Sequence, residues 1–257
     1  MRGILFDLDG VLYNGEEPIA GAAEAVRWVR DHHVPHLFVT NTTSRGADVL
    51  AHKLSGLGIP AGAEEILTPA RAAVARLAGR PSAVLALFVP PKTRGEFVGF
   101  ELLPEDRETG ADYVIVGDLG ERWDFRALNR AFRLLHHNPA AELIALGMTR
   151  YWQAPDGVRL DASPFVAALE HATGRRATVL GKPSREFFVA AAGMLALAPA
   201  DVLMIGDDIR TDIAGAQAAG LKAALVRTGK FRESDLEEGI RPDAVLDSIA
   251  DLPAWWR

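Results

Sequence analysis

The chain has 257 residues, 49% of them apolar and 24% charged, an ordinary composition that excludes collagen-like, low-complexity and disordered proteins. It contains no cysteine, which excludes disulfides, thiolate catalysis and zinc–thiolate sites. The net charge of −6 argues against nucleic acid as a partner, and no apolar run approaches the ~20 residues of a membrane span. Because the N-terminus also lacks a signal-peptide pattern, we expect a cytoplasmic protein with no membrane partner.

Short apolar runs alternate with helical patterns along the chain, which predicts an α/β protein with a mostly parallel sheet. In the first part, we predict strands at 3–6 and 36–40 and helices at 22–30, from Ser44 to Gly58 and from Thr68-Pro69 to Gly79. In the middle, we predict strands at 83–88, 112–116 and 142–146 and helices that begin at Asp124 and Ser163. In the last part, we predict strands at 177–180, 201–205 and 222–226, a helix from Ser184 and a helix at 212–219.

Polar residues directly follow four of these strands. They are Asp7 and Asp9 with Gly10, Thr40 with Asn41, Gly181 with Lys182, and Asp207 with Asp208 and, slightly further on, Asp212. Ligands of open α/β sheets bind outside the carboxyl ends of the strands. If the four strands are neighbours, these side chains therefore meet at one edge of the sheet.

Several carboxylates at one edge need a cation, because they cannot all be ionised together in a small space. Oxygen ligands suit Mg²⁺, which commonly binds a substrate phosphate as well. Thr40 and Lys182 add a hydroxyl and an ammonium group for phosphate oxygens. A carboxylate that faces phosphorus beside such an ion can attack it and form an aspartyl-phosphate.

Each of these short stretches also has an ordinary structural explanation. An Asp-x-Asp after a strand is often a turn, Asp207 and Asp208 could cap the next helix, and Lys182 could be a solvated loop residue. The combination of all four, each after a strand, is what indicates a site.

In this order the stretches resemble the four motifs of the haloacid dehalogenase superfamily: D-L-D-G-V-L at 7–12, T-N at 40–41, G-K-P at 181–183 and G-D-D-x-x-x-D at 206–212. The long segment between the second and third motifs resembles the C2 cap of class IIA, with A-L-G-M-T-R-Y-W at 145–152 and D-G-V-R-L-D at 156–161. Within that class the chain is similar to the phospholysine phosphohistidine inorganic pyrophosphate phosphatase group.

The resemblance implies a doubly wound, Rossmann-like parallel-sheet core at 1–70 and 176–257, with an inserted α/β cap domain at 71–175. It also implies a role for each motif residue. Asp7 would be the nucleophile and Asp9 the general acid and base. Mg²⁺ would be held by Asp7, the Asp9 carbonyl and Asp207, with Asp208 and Asp212 around that shell. Phosphate would be contacted by Thr40, Asn41 and Lys182.

We therefore expect Mg²⁺-dependent hydrolysis of a small phosphorylated compound through an aspartyl-phosphate. Phospholysine, phosphohistidine and pyrophosphate are candidate substrates, with sugar phosphates and nucleotides as alternatives. The loop 117–124, which carries Arg122 and Trp123, is the candidate substrate-facing element, and a homodimer through the cap is left open.

Two other classes of function are weighed. A phospho-accepting signalling module also places acidic residues, a threonine and a lysine at strand ends. In this chain, however, the acidic pair 207–208 comes last, and such a module has no use for the long insertion. A catalytically silent scaffold is opposed by the presence of every catalytic residue type.

Overall fold

The computed structural model describes residues 1–154 and 156–256. Its strands are β1 (Gly3–Asp7), β2 (Tyr13–Asn14), β3 (Glu17–Pro18), β4 (His36–Val39), β5 (Ile66–Leu67), β6 (Val84–Phe88), β7 (Glu101–Leu102), β8 (Tyr113–Val116), β9 (Glu142–Ala145), β10 (Tyr151–Ala154), β11 (Gly157–Leu160), β12 (Thr178–Val179), β13 (Val202–Gly206), β14 (Lys222–Val226) and β15 (Ala244–Leu246). Its helices are α1 (Ala22–Asp31), α2 (Ala47–Gly56), α3 (Pro69–Leu77), α4 (Pro91–Arg94), α5 (Phe125–His137), α6 (Ala162–Thr173), α7 (Arg185–Met194), α8 (Gly215–Ala218) and α9 (Leu252–Trp255).

The chain forms two compact units. The first comprises Met1–Thr40, Ala47–Leu67 and the chain from Lys182 onward, and the second comprises Asn41–Gly46 and Thr68–Gly181. The assignment of 71–175 as a cap domain stays a prediction.

The first unit is built on a six-stranded parallel sheet in the order β15-β14-β13-β1-β4-β5. Its central strand is fully buried, with Ile4, Leu5 and Phe6 at 0% exposure, as expected for a parallel strand covered on both faces. After β1 the chain first adds β4 and β5 on one side and later β13 to β15 on the other. The topological switch point therefore lies between β1 and β13, where ligands of such sheets bind.

The second unit has its own five-stranded parallel sheet, in the order β12-β9-β8-β6-β7. Helices α5 and α6 pack on this sheet through Ala131, Leu134, Leu135, Val166 and Leu169. An antiparallel ribbon of β10 and β11 belongs to the same unit. The predicted α/β class with doubly wound parallel sheets is confirmed.

Several predicted helix ends are confirmed by their capping contacts. The Thr68 side chain accepts a hydrogen bond from the Arg71 amide, Asp124 accepts one from Ala127, and Ser184 accepts one from Phe187. Gly174 ends α6 with a φ of 69°, in the left-handed region that glycine favours.

Three helix starts were predicted wrongly, and the first is that of α2, which begins at Ala47 and not at Ser44. Helix α6 begins at Ala162 and not at Ser163, because Asp161 is the residue whose carboxylate caps it. The helix predicted at 212–219 begins earlier as a π-helical segment, Ile209–Ala214, since Asp208 accepts hydrogen bonds from the Arg210 and Thr211 amides. No helix in the described part of the chain is long and apolar enough to cross a membrane.

Candidate active site

The polar strand ends of the first unit gather around the switch point of its sheet. Asp7 is the last residue of β1, Asp207 follows β13 and Thr40 follows β4, and these three strands are adjacent. All three residues are buried, although none of them is apolar. A buried polar group is costly unless it is paired, so the contacts of these side chains determine what the site can do.

Lys182 is the positive charge of the site. Its Nζ lies 2.8 Å from Asp7 Oδ1 and 2.7 Å from Asp212 Oδ1, and its side chain is only 3% exposed. Burial alone would lower the pKa of Lys182, but the charges of Asp212 and Asp7 outweigh it and raise the pKa above its usual value. The lysine is therefore charged at neutral pH and holds one oxygen of each carboxylate.

Asp7, Asp207 and Asp212 form a cluster, with one carboxylate oxygen of each within 4.8 Å of the others. Burial and then the charge of Asp7 raise the pKa of Asp207 to about 6, and the same two causes raise the pKa of Asp212. Three buried carboxylates face one buried ammonium group, which leaves an excess of negative charge.

The cluster fits a divalent cation. Asp207 Oδ2 accepts a hydrogen bond of 2.7 Å from the Lys230 amide, whereas Asp207 Oδ1 is buried with no hydrogen-bond partner. Buried carboxylate oxygens are normally satisfied, so this oxygen is available to a cation. The donors are all oxygens, the set that Mg²⁺ and Ca²⁺ prefer. Asp7, Asp207 and Asp212 could together hold such an ion.

Two glycines allow Asp207 to sit where it does. Gly10 and Gly229 have φ values of 86° and 63°, and a Cβ added to either would collide with Asp207 Oδ2. Nearby, the Thr228 hydroxyl donates a 2.6 Å hydrogen bond to the Gly10 carbonyl and so ties the two loops together. A side chain at either glycine would displace the carboxylate.

We expect Gly10→Ala to lower both stability and turnover. The left-handed backbone costs an alanine about 1–2 kcal/mol, and displacement of Asp207 adds to that cost. Gly15→Ala is the matched control, since Gly15 also has a positive φ, of 58°, but nothing lies within 4 Å of its added Cβ. Urea unfolding and steady-state turnover of both variants would check this. Equal turnover in the two variants would show that Asp207 tolerates a side chain at position 10.

Sequence reasoning missed the contribution of the segment 228–230. Thr228, Gly229 and the Lys230 amide all contact Gly10 or Asp207. Burial alone would lower the pKa of Lys230, but the charges of Asp207, Asp7 and Asp212 raise it. The T-G-K after β14 follows a strand of the same sheet, and its position at the end of that strand was the available signal.

Two predicted site residues, Asp9 and Asp208, are not members of the three-carboxylate cluster. The Asp9 side chain is exposed and outside the three-carboxylate group, on a turn fixed by a hydrogen bond from the Gly10 amide to the Tyr13 carbonyl. Asp208 caps the π-helical segment with its carboxylate, while its amide donates to Asp212 Oδ2. Asp212, predicted to lie around the metal shell, is a member of the cluster itself.

Asn41 and the loop 117–124 belong to the second unit. The Trp123 ring is stacked between Phe88 and Phe165, at centroid distances of 5.7 and 4.6 Å, so it anchors the loop to its own sheet. Arg122 forms an ion pair with Glu105.

These contacts define a class of protein: an α/β fold with a carboxylate–lysine site at the switch point of a parallel sheet. The profile of the haloacid dehalogenase-like hydrolases matches residues 4–97, and one described as HAD-hydrolase-like matches residues 179–252. Together the two profiles contain all the clustered residues of the site.

Full-length relatives agree with these profiles. The human phospholysine phosphohistidine inorganic pyrophosphate phosphatase is 35% identical, with 98% of this chain and 92% of that protein covered. The bovine haloacid dehalogenase-like hydrolase domain-containing protein 2 is 38% identical, with 96% and 91% covered. Among solved structures, the p-nitrophenyl phosphatase from Archaeoglobus fulgidus has a TM-score of 0.88 at 28% identity, with 98% and 97% covered.

The chain therefore belongs to the haloacid dehalogenase-like hydrolases. It is a hydrolase of the phosphatase type.

Proposed function

We propose that the protein is a Mg²⁺-dependent phosphatase of small phosphorylated compounds that works through an aspartyl-phosphate at Asp7. One observation carries the proposal: Asp7 Oδ1 is held by Lys182 at 2.8 Å and by the Leu8 amide at 2.7 Å. With Oδ1 fixed by two donors, the carboxylate has a defined orientation and presents Oδ2 for attack on phosphorus.

The proposed reaction has two steps. Asp7 Oδ2 forms a bond to phosphorus while the bond to the leaving group breaks, and Asp9 gives that group its proton. Asp9 then takes a proton from water, whose oxygen attacks phosphorus and releases phosphate from Asp7. An exposed acid on a fixed turn suits this role, since it must reach groups of differing size. Thr40, Asn41 and Lys182 hold the phosphate oxygens.

The metal is proposed to be Mg²⁺, held by Asp7, Asp207 and Asp212, with the Asp9 carbonyl as a further ligand. Bound there, it would neutralise charge on the carboxylates and on the phosphate. The structure contributes a rigid set of oxygens, because Lys182 holds Asp7 and Asp212 and the Lys230 amide holds Asp207.

We expect the stabilising effect of Mg²⁺ to grow as the pH rises from about 4 to about 6. In the metal-free protein the pKa of Asp207 is raised from 3.8 to about 6, so the folded state binds this proton more tightly than the unfolded state. The resulting stability is fully present below pH 4 and is lost as the pH rises through 6. The loss amounts to about 3 kcal/mol from this group alone, and a bound cation offsets it.

Thermal unfolding across this pH range, in EDTA and in excess Mg²⁺, measures the effect. Asp207→Asn should reduce the pH dependence of the Mg²⁺ effect, because it removes one of the two cluster carboxyls whose pKa is raised. Asp208→Asn is the matched control, because Asp208 caps a helix and lies outside the cluster. An equal Mg²⁺ effect at pH 4 and pH 7, or a full effect in Asp207→Asn, would argue against this site.

The substrate class is tested by turnover of a panel. One relative is named for phospholysine, phosphohistidine and pyrophosphate and one solved neighbour for p-nitrophenyl phosphate, so P–N, P–O–P and aryl ester bonds belong in it. Sugar phosphates and nucleotides complete it. We expect measurable turnover of p-nitrophenyl phosphate and highest kcat/KM on a P–N or P–O–P compound. No turnover of any member with Mg²⁺ present would overturn the proposal.

A further inference from the structure

The second unit contains a cavity of its own, of about 470 Å³. Its walls come from the end of β6, from the segments that follow β7 and β8, and from the first turns of α5. The sheet order places β7 on one side of β6, and β8, β9 and β12 on the other. The cavity therefore lies at the switch point of this second sheet, the position at which open parallel sheets bind ligands.

One buried cation of this cavity, Arg130, is held by neutral groups and is influenced by carboxylates only from a distance. Arg130 is only 9% exposed, and its guanidinium donates to the carbonyls of Arg107 and Pro104, at 2.9 Å each, and lies over the Phe88 ring at 5.1 Å. It forms no ion pair with any carboxylate in the part of the chain that the structure describes. Carbonyl groups and an aromatic ring do not neutralise a buried positive charge, so an anion bound beside Arg130 would stabilise it.

Positive side chains outnumber negative ones in the lining of the cavity around Arg130. Four arginines line the cavity, Arg94, Arg122, Arg126 and Arg130, against three carboxylates, Glu105, Asp106 and Asp124. Glu105 forms ion pairs with Arg94, at 2.6 Å, and with Arg122, at 3.4 Å. The Asp124 carboxylate caps α5 by accepting a hydrogen bond from the Ala127 amide. Glu105 and Asp124 therefore already accept hydrogen bonds within the protein, whereas the guanidinium groups keep N–H donors for a ligand.

The remaining wall is apolar. Leu87, Phe88, Val89, Leu119 and Ala127 provide it. A cavity of this size with an apolar wall and a few converging polar groups is typical of a small-molecule site. Arginine is the residue best suited to a planar carboxylate or a phosphate, which it binds with two parallel hydrogen bonds.

We propose that this cavity is a second ligand site, which binds a small organic oxyanion, a phosphate or carboxylate attached to an apolar group. The anion would lie against Arg122, Arg126 and Arg130, and the apolar group against Leu119 and Ala127. This binding does not depend on the catalytic site or on the reaction proposed for it.

Phenylphosphonate is a suitable probe, because its P–C bond resists hydrolysis by a phosphatase. Titrations of the full chain in EDTA, followed by amide chemical shifts, separate the two sites. Leu119 and Ala127 report the cavity, and Leu8 and Gly10 report the catalytic site. We expect saturable shifts at Leu119 and Ala127. Benzoate distinguishes a carboxylate from a phosphate ligand, and neutral benzamide should not bind.

The variant Arg122→Ala/Arg126→Ala should weaken binding at least about tenfold, because it removes two groups that donate charge-assisted hydrogen bonds to the anion. Both side chains are exposed and leave the Arg94–Glu105 pair in place, so the fold should be kept. Arg133→Ala, on the same helix but paired with Glu108, is the matched control and should bind as the wild type does. Shifts confined to Leu8 and Gly10, equal binding of benzamide, or unchanged affinity in the double variant would each overturn the proposal.

Discussion

Replacement of Asp7 by Asn is expected to lower turnover by several orders of magnitude while the protein stays folded. The amide is nearly isosteric with the carboxylate but is a poor nucleophile, and it leaves catalysis without its covalent step. The amide oxygen can still accept from the Leu8 amide and from Lys182, the two donors that contact Oδ1 in the wild type. The loss should therefore appear in kcat and not in the unfolding temperature.

A trapping experiment separates loss of the nucleophile from loss of a metal ligand. Acid quenching with a labelled substrate should leave phosphate covalently bound to the wild type, and more of it to Asp9→Asn, where hydrolysis of the intermediate is slowed. Asp7→Asn should carry no label, and Asp48→Asn, an exposed change on α2, should match the wild type. A labelled Asp7→Asn variant, or one that retains more than about a tenth of wild-type turnover, would assign the nucleophile elsewhere.

The positions of Asp7, Thr40 and Asp207 could be predicted from the sequence because each lies at the end of a buried strand or directly after it. Lys182 does not fit the expectation of four neighbouring strands, because the strand before it, β12, belongs to the second sheet. The runs before Asp7 and Asp207 are short and continuously apolar, which is typical of interior strands of a parallel sheet. Once two such strands are neighbours, their carboxyl ends meet at the switch point. The gathering of Asp7, Thr40 and Asp207 at adjacent strand ends follows from this rule alone.

The contacts between side chains inside the site could not be predicted from the sequence in the same way. Asp212 was expected around the metal shell, yet it is fully buried, 2.7 Å from Lys182, and part of the cluster. The reason is the π-helical segment 209–214, whose turn is wider than that of an α-helix. This turn brings Asp212 close to Asp208, and Asp212 Oδ2 accepts a hydrogen bond from the Asp208 amide. Periodicity of apolar residues does not reveal a π-helical turn.

The antiparallel ribbon of β10 and β11 was also missed. Each of its strands has only four residues, too few for an alternating pattern to stand out from the surrounding chain. Tyr151, Val158 and Leu160 are exposed although they are large and apolar or aromatic. The ribbon therefore also lacks the apolar face by which a half-buried strand is usually predicted. A homodimer through the cap stays a prediction, as do the roles assigned to all the site residues.

Replacement of Lys182 by Met is expected to lower the free energy of unfolding by about 3–5 kcal/mol, the usual cost of breaking a buried ion pair from one side. Methionine keeps the apolar stem but leaves Asp7 and Asp212 buried without their cation. Lys222→Met is the matched control, since Lys222 forms a solvent-exposed pair with Asp243 at 3.0 Å. Such surface pairs contribute no more than about 1 kcal/mol.

The loss of unfolding free energy in Lys182→Met should depend on pH in a defined direction. In the wild type the pKa of Lys182 is raised, so its contribution is complete at all pH values below its ordinary pKa of 10.5 and does not vary between pH 4 and pH 8. In the variant, Asp7 and Asp212 lose their neutralising partner, and Asp212 already has a raised pKa in the wild type. Carboxyls with raised pKa values stabilise the folded state at low pH and lose that contribution as the pH rises. The loss of unfolding free energy relative to the wild type should therefore be small near pH 4 and largest above pH 7.

A double-mutant cycle with Asp212→Asn tests whether the ion pair itself carries this stability. Asparagine keeps an oxygen that can accept the Asp208 amide but removes the charge that Lys182 neutralises. Asp212→Asn should therefore stabilise Lys182→Met at pH 8 by more than it stabilises the wild type, because only the wild type loses an ion pair with the charge. Turnover should be absent from the double variant, which lacks the lysine proposed to bind phosphate. Urea unfolding in EDTA at pH 4 and pH 8 gives all four free energies. If the two substitutions are additive, the lysine acts on the fold through packing alone, and its assignment as the buried counter-ion of the carboxylate cluster is wrong.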